Sequence, residues 1–278
     1  MIQNSADKEK ILLFIPGYNC EKQMSRVLRQ LDNEILVHIS KIIIVNNRST
    51  DNTEQSVIDW GQQHKEVDLA LLRNDDNYNL GGSHKVAFEY AIRGNFDYVI
   101  VLHGDDQGNI HDLLPFLRNG MYMDFDCCLG SRFMKGSRLF GYSHLRIIAN
   151  NCFNLWFSIV TGRNILDLGS GLNMYKVDSL KSRYYLKYPD RLFFNDVMLL
   201  GAVYYKQKIN FFPISWKEED QISNVKLFSF GMELLKMTFL FLFRRKSYMQ
   251  SDMRQKVIEE YTYKVIYEHQ KSLEDPQT

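Results

Sequence analysis

Four short apolar runs, Ile11–Ile15, Ile42–Val45, Leu69–Leu72 and Tyr98–Leu102, punctuate the N-terminal part of the chain, with amphipathic stretches between them. Each run is rich in Ile, Val or Leu and lacks strict alternation, the pattern of strands covered on both faces. The intervening spacing predicts helices over Glu21–Leu31, Thr53–Gln63 and Ser83–Arg93, the last with Ser83 as N-cap after Gly81-Gly82. Strands alternating with helices imply an α/β fold with a largely parallel sheet. Such sheets bind ligands outside the carboxyl ends of their strands, so the polar residues after each run are the ones to read.

Further on, Ile147–Val160 reads as a helix with a broad apolar face, and Asp167–Leu172 as a Gly-rich loop. Phe194–Tyr205 reads as another helix and Phe211–Ser215 as a late strand or edge. Leu227–Phe243 is apolar but interrupted by Glu233 and Lys236 and closed by Arg244-Arg-Lys246. It falls short of the ~20 apolar residues a spanning helix needs, leaving a core helix or an amphipathic helix in a membrane interface. Met253, Val257, Tyr261 and Val265 recur at helical spacing, so Ser251–Gln270 is expected to be a helix docked on the domain. The division expected is a catalytic α/β domain over 1–225 and C-terminal amphipathic helices over 226–278.

The 278 residues carry 34 Lys+Arg against 33 Asp+Glu, a balance that argues against a nucleic-acid binder. Sixteen Tyr, 18 Phe and 3 Trp suit a protein that meets sugars, bases or a membrane interface. The four cysteines have no CxxC spacing, which fits reduced, packed thiols in a cytosolic protein. Met1–Lys10 is polar and the run Ile11–Ile15 ends at Pro16, so no secretory signal is expected.

Five motifs follow the strands in order. Pro16-Gly-Tyr-Asn-Cys-Glu21 ends the first strand, and Asn46-Asn-Arg-Ser-Thr-Asp-Asn-Thr53 ends the second. Asn79-Leu-Gly-Gly-Ser-His-Lys85 opens the third helix, and His103-Gly-Asp-Asp106 follows the fourth strand. The fifth is a pair, Gly130-Ser-Arg-Phe-Met-Lys-Gly-Ser-Arg138 followed by Asp167-Leu-Gly-Ser-Gly-Leu-Asn-Met-Tyr175. In this order they resemble family 2 glycosyltransferases, with the last pair similar to the dolichol- and polyprenyl-phosphate sugar transferases of that family.

The resemblance implies a GT-A fold: a Rossmann-like, mostly parallel sheet flanked by helices, with a C-terminal helical extension. It implies an inverting, nucleotide-sugar-dependent glycosyltransferase acting on a polyprenyl phosphate or a surface glycan, cytoplasmic or peripheral on the inner face of the membrane. The alternative is a catalytically weakened nucleotide-sugar-binding protein. Carried over motif by motif, donor contacts fall on Pro16, Gly17, Tyr18, Asn19, Glu21, Asn46, Asn47, Ser49, Asp51, Gly81, Lys85 and Arg132. A divalent metal (Mg²⁺ or Mn²⁺) falls on Asp105 and His103, and catalytic carboxylates on Asp106 and on Asp196, at the start of the predicted helix Phe194–Tyr205.

Two departures bear on chemistry. His103 occupies the first position of the family's Asp-x-Asp, and a neutral imidazole ligates Mn²⁺ better than Mg²⁺. Asn46-Asn47 replaces the usual Asp-Asp, and an amide offers a donor where a carboxylate only accepts. A hydroxyl acceptor needs a base, for which Asp196 is the candidate, although it would equally serve as an N-terminal helix charge. A phosphate acceptor needs no base but wants cations, and Arg132, Lys135, Lys217 and Lys226 are on offer. A nucleotidyltransferase is disfavoured because no GxG-type phosphate loop follows the first strand.

Overall fold

The computed structural model describes residues 9–219 and 227–271. Lys226 and the expected boundary at 225/226 lie outside them. In chain order the elements are β1 (Ile11–Gly17), α1 (Glu21–Leu28), α2 (Asn33–Leu36), β2 (Lys41–Asn46), α3 (Thr53–Gln63), β3 (Leu69–Asn74), α4 (Asn79–Arg93) and β4 (Tyr98–Leu102). There follow α5 (Leu114–Asn119), β5 (Cys127–Ser131), β6 (Arg138–Phe140), α6 (His144–Thr161), β7 (Leu172–Lys176), α7 (Val177–Leu180) and α8 (Phe194–Tyr204). The last are β8 (Ile209–Pro213), β9 (Ser215–Lys217), α9 (Leu227–Gln250) and β10 (Tyr263–His269).

An eight-stranded sheet in the order β10-β3-β2-β1-β4-β7-β5-β8 organises the molecule, with a two-stranded β6-β9 ribbon beside it. β1 pairs in parallel with both β2 and β4, while β7 runs antiparallel between β4 and β5. The strands are buried on both faces: Leu12 and Phe14 join a core built with α4 and α8, Leu13 and Ile15 one built with α1 and α3. The strand order 3-2-1-4 changes its direction of progression between β1 and β4, and that switch point opens a crevice at the strands' carboxyl ends.

Two sequence expectations are corrected. α4 begins at Asn79, not after a cap at Ser83. Gly81 and Gly82 belong to its first turn despite their poor helix propensity, because a Cβ on Gly81 would stand 2.5 Å from the Pro189 carbonyl oxygen. The second correction concerns the tail. It ends in the strand β10, antiparallel to β3, where a docked helix was expected. Tyr-Lys-Val-Ile-Tyr, from 263 to 267, is β-branched and aromatic, and the open edge of β3 supplied the partner.

Candidate active site

The ends of β1, β2 and β4 are brought level. The Gly17 carbonyl accepts the Asn47 N–H at 2.9 Å, and the Pro16 carbonyl accepts the Gly104 N–H at 3.1 Å. Gly104 permits this approach, since a Cβ there would meet the Pro16 oxygen at 2.7 Å. Above these ends lies an open cleft of about 530 Å³. Of the residues expected at the site, Pro16, Gly17, Tyr18, Asn47, His103 and Asp105 line it. Cys20, Asn77, Ser83, Arg191, Phe193 and Phe230 line it too and were not anticipated.

Tyr18 is exposed at the mouth, where its ring can take a flat partner. Asn47 is buried and committed: its Oδ1 accepts from Asn74 Nδ2 at 2.9 Å and from the Tyr78 N–H at 2.8 Å, and its Nδ2 donates to Asn77 Oδ1 at 2.8 Å. Burial pushes the Asp105 carboxyl up to about 6, even though it accepts the Gln107 N–H at 3.2 Å. Burial holds the His103 imidazole down at about 4, so it is neutral at pH 7, and its Nε2 has no hydrogen-bond partner among the described residues. Its ring stands edge-on to His84, 5.8 Å away. Burial raises the Cys20 thiol to about 12, which excludes a thiolate nucleophile at neutral pH.

The other expected residues lie elsewhere. Asn19, Ser49 and Asp51 lock the first two strand-end turns together. Asn19 Oδ1 accepts the Thr50 N–H at 2.8 Å, Ser49 Oγ accepts the Asn19 N–H at 2.9 Å, and Asp51 accepts the Glu21 N–H at 3.0 Å. Asn46 donates to Glu54 and accepts the Ser49 N–H, and Gly81 is a packing glycine within α4. Lys85, expected at the donor, is fully buried. It donates to the Tyr188 carbonyl (2.6 Å), Asp190 (2.7 Å) and Tyr261 (3.1 Å).

Arg132 forks onto Asp167 through Nε (2.9 Å) and Nη2 (2.8 Å) and lies over the Trp216 ring, so it orders the 167–171 loop. Asp106, expected to be catalytic, adopts a positive φ of 60° and points at Arg26 (2.5 Å) and Gln30 (3.0 Å). Asp196 is buried in the first turn of α8 beside Arg132 and Asp167, outside the residues lining the cleft. Burial lifts its carboxyl to about 8, with the Asp167 charge adding to the rise.

Among the described residues no three His, Cys, Asp or Glu side chains stand together as a metal cage. Asp105 and the neutral His103 nevertheless suit an incomplete site: a carboxylate and an unprotonated imidazole are both competent ligands, and further oxygens would have to come from a bound diphosphate.

A family model described as "Glycosyl transferase family 2" matches residues 13–183. The chain is 23% identical to the undecaprenyl-phosphate mannosyltransferase of Micrococcus luteus over 175 residues, 62% of this chain and 69% of that one. It is 20% identical to the polyprenol monophosphomannose synthase of Mycolicibacterium smegmatis over 179 residues, 62% of this chain and 64% of that one. In structure it is similar to glucosyl-3-phosphoglycerate synthase from Mycobacterium tuberculosis, solved with UDP. The TM-score is 0.58 at 13% identity, covering 87% of this chain and 81% of that one. A mannosyltransferase from Pyrobaculum calidifontis, solved with GDP-Man and Mn²⁺, gives a TM-score of 0.57 at 12% identity, covering 87% and 65%. The fold is therefore GT-A, and with the family model spanning more than half of its length at the very strands that build the cleft, the chain belongs to glycosyl transferase family 2.

Proposed function

We propose that the protein is an inverting glycosyltransferase that moves a sugar from a nucleoside diphosphate donor to a polyprenyl phosphate. The observation that carries this reading is the convergence of Tyr18, Asn47, His103 and Asp105 on one cleft at the β1/β4 switch point. Tyr18 and the Pro16–Gly17 backbone offer the base a flat surface, and Asn47 stands at its edge. Because the Asn47 oxygen is already occupied by Asn74 and Tyr78, what remains for the base is an amide N–H. Arg191, the one Lys or Arg among the described residues lining the cleft, is placed to hold phosphate oxygens.

Asp105 and His103 would hold the divalent metal, which, when bound, neutralises charge on the departing diphosphate. The placement of Asp196 favours a phosphate acceptor over a hydroxyl one. A hydroxyl needs a base at the cleft, whereas Asp196 is buried outside it and holds its proton at neutral pH. A phosphate arrives as an anion and attacks unaided. The names of the two curated relatives point to the same acceptor class.

The test is a thermal-shift panel of UDP, GDP, CDP and TDP sugars with and without Mn²⁺, followed by transfer to polyprenyl phosphate. One base should raise the melting midpoint more than the rest, and only with metal, because a ligand bound to the native state stabilises it by mass action. Asn47→Asp should change the ranking of bases. Binding without turnover on any acceptor would favour a nucleotide-sugar-binding protein instead.

A further inference from the structure

α6 and α9 pack on one another and leave an apolar face uncovered. On α6, Leu145, Ile148, Leu155 and Ile159 fall on one side of the helix and are exposed, Leu145 by 72% and Ile159 by 67%. On α9, Met232, Phe239, Leu242 and Phe243 do the same, Phe243 being 74% exposed. The two stripes are continuous: the half-buried Trp156 of α6 meets the Phe239 ring at 6.0 Å, and Phe239 stacks on Phe243. Contacts advance in the same direction along both helices, from Phe153 at Gly231 to Trp156 at Thr238. Arg163, just past α6, therefore lies towards the same end as Arg244, Arg245 and Lys246, all exposed.

Charge is one-sided here. α6 contains no carboxylate, and the single one in α9, Glu233, lines a cavity between α9 and the 189–193 loop. An apolar ridge with an aromatic pair, bordered at one end by four cations, complements a surface with anionic headgroups above an acyl interior. The ridge also leads to the active cleft, because Phe230, in the first turn of α9, lines the cleft and stacks on Phe193 at 4.6 Å.

We propose that the α6–α9 face docks on an anionic lipid bilayer, lying in the interface and presenting the mouth of the cleft to a lipid-linked acceptor. This rests on the reading of a polyprenyl phosphate as acceptor. No helix of the described residues is long and apolar enough to cross a membrane, so the contact is with the surface. α6 and α9 each contribute four of its exposed apolar side chains.

The experiment is vesicle co-sedimentation of the full chain with phosphatidylcholine alone and with added phosphatidylglycerol, at low and high salt. The unaltered protein should sediment with the anionic vesicles and be released by salt. Leu155→Gln with Ile159→Gln, both on exposed positions of α6, should lower partitioning on the order of tenfold. Arg244→Glu, Arg245→Glu and Lys246→Glu together should lower it by about two orders of magnitude.

Unchanged partitioning of the α6 variant overturns the proposal. So does a dimer of the free protein that these α6 substitutions abolish, since the face would then join two copies of the chain. A water-soluble, short-chain polyprenyl phosphate separates this proposal from the acceptor reading. Transfer to it without vesicle binding removes the docking surface and keeps the acceptor, whereas vesicle binding with no transfer to any polyprenyl phosphate does the reverse.

Discussion

Two groups of polar residues at the same end of the sheet have opposite characters. In the turns after β1 and β2, Asn19, Ser49, Asp51 and Thr53 bind one another's side chains and backbone N–H groups. At the end of β4, His103 keeps a buried nitrogen unpartnered among the described residues, and Asp105 sits where burial lifts its carboxyl to about 6. The first group is a self-sufficient scaffold. The second lacks that self-sufficiency, as expected of a place that a ligand completes. Family motifs mix both kinds, and only geometry separates them.

The largest effect is expected at Asp105. Asp105→Asn should cut kcat/KM by about a thousandfold or more, as expected when charge stabilisation of the leaving group is lost. Nucleotide-dependent Mn²⁺ binding, followed by titration calorimetry, should disappear with it. Retained activity would place Asp105 with the scaffold.

Lys85 makes the converse case. Lys85→Met leaves Asp190 buried without its cation, so stability should fall by about 3–5 kcal/mol in urea titrations. Donor affinity of the folded fraction should change little, because Lys85 does not reach the cleft.

Asp196 makes stability depend on pH. Its carboxyl ordinarily titrates near 3.8 and is raised to about 8 in the fold. Between those values the folded state keeps a proton that the unfolded chain has released. Its contribution is therefore fully present below the ordinary value and drains away as pH rises towards 8. Asp196→Asn should flatten that decline and gain on the order of a few kcal/mol near pH 8. Urea midpoints across this range measure it, and transfer to a phosphate acceptor should survive within a fewfold.

The smallest effect is expected in the turn network. Asp51 accepts from the Thr53 N–H and hydroxyl and from the Glu21 N–H, so Asp51→Ala should cost about 1–2 kcal/mol, the worth of a helix cap. Donor affinity at a temperature where the variant is folded should stay close to that of the parent.

Much of this architecture is legible in the amino-acid sequence. β1 to β4 fall where the apolar runs predict, and α3 spans Thr53–Gln63 as the periodicity predicts. These elements are specified locally, by periodicity. β5 and β7 carry no such signal. Cys-Cys-Leu-Gly-Ser and Leu-Asn-Met-Tyr-Lys lack the Ile/Val density of the earlier strands, and they owe their state to pairing with each other and with β8 and β4.

The site divides in the same way. Strand ends bring Tyr18, Asn47, His103 and Asp105 to one crevice. Arg191, Phe193 and Phe230 reach it from a loop and a helix far along the chain, and no local spacing announces that arrival. Nor does sequence reveal direction. Adjacent carboxylates Asp105 and Asp106 part company because Asp106 takes a left-handed backbone conformation and finds Arg26.

The pairing of β10 with β3 has a consequence for how the molecule is made. The partner that covers Leu-Ala-Leu-Leu, from 69 to 72, is specified about 190 residues later. At ribosomal speeds of ~5–20 residues per second, the nascent β3 edge waits roughly 10–40 s for it. During that interval an apolar strand with unpaired amides is open to another nascent chain. A chain stopped before Tyr263 keeps every cleft-lining residue but leaves the β3 edge bare, and is expected to aggregate through it.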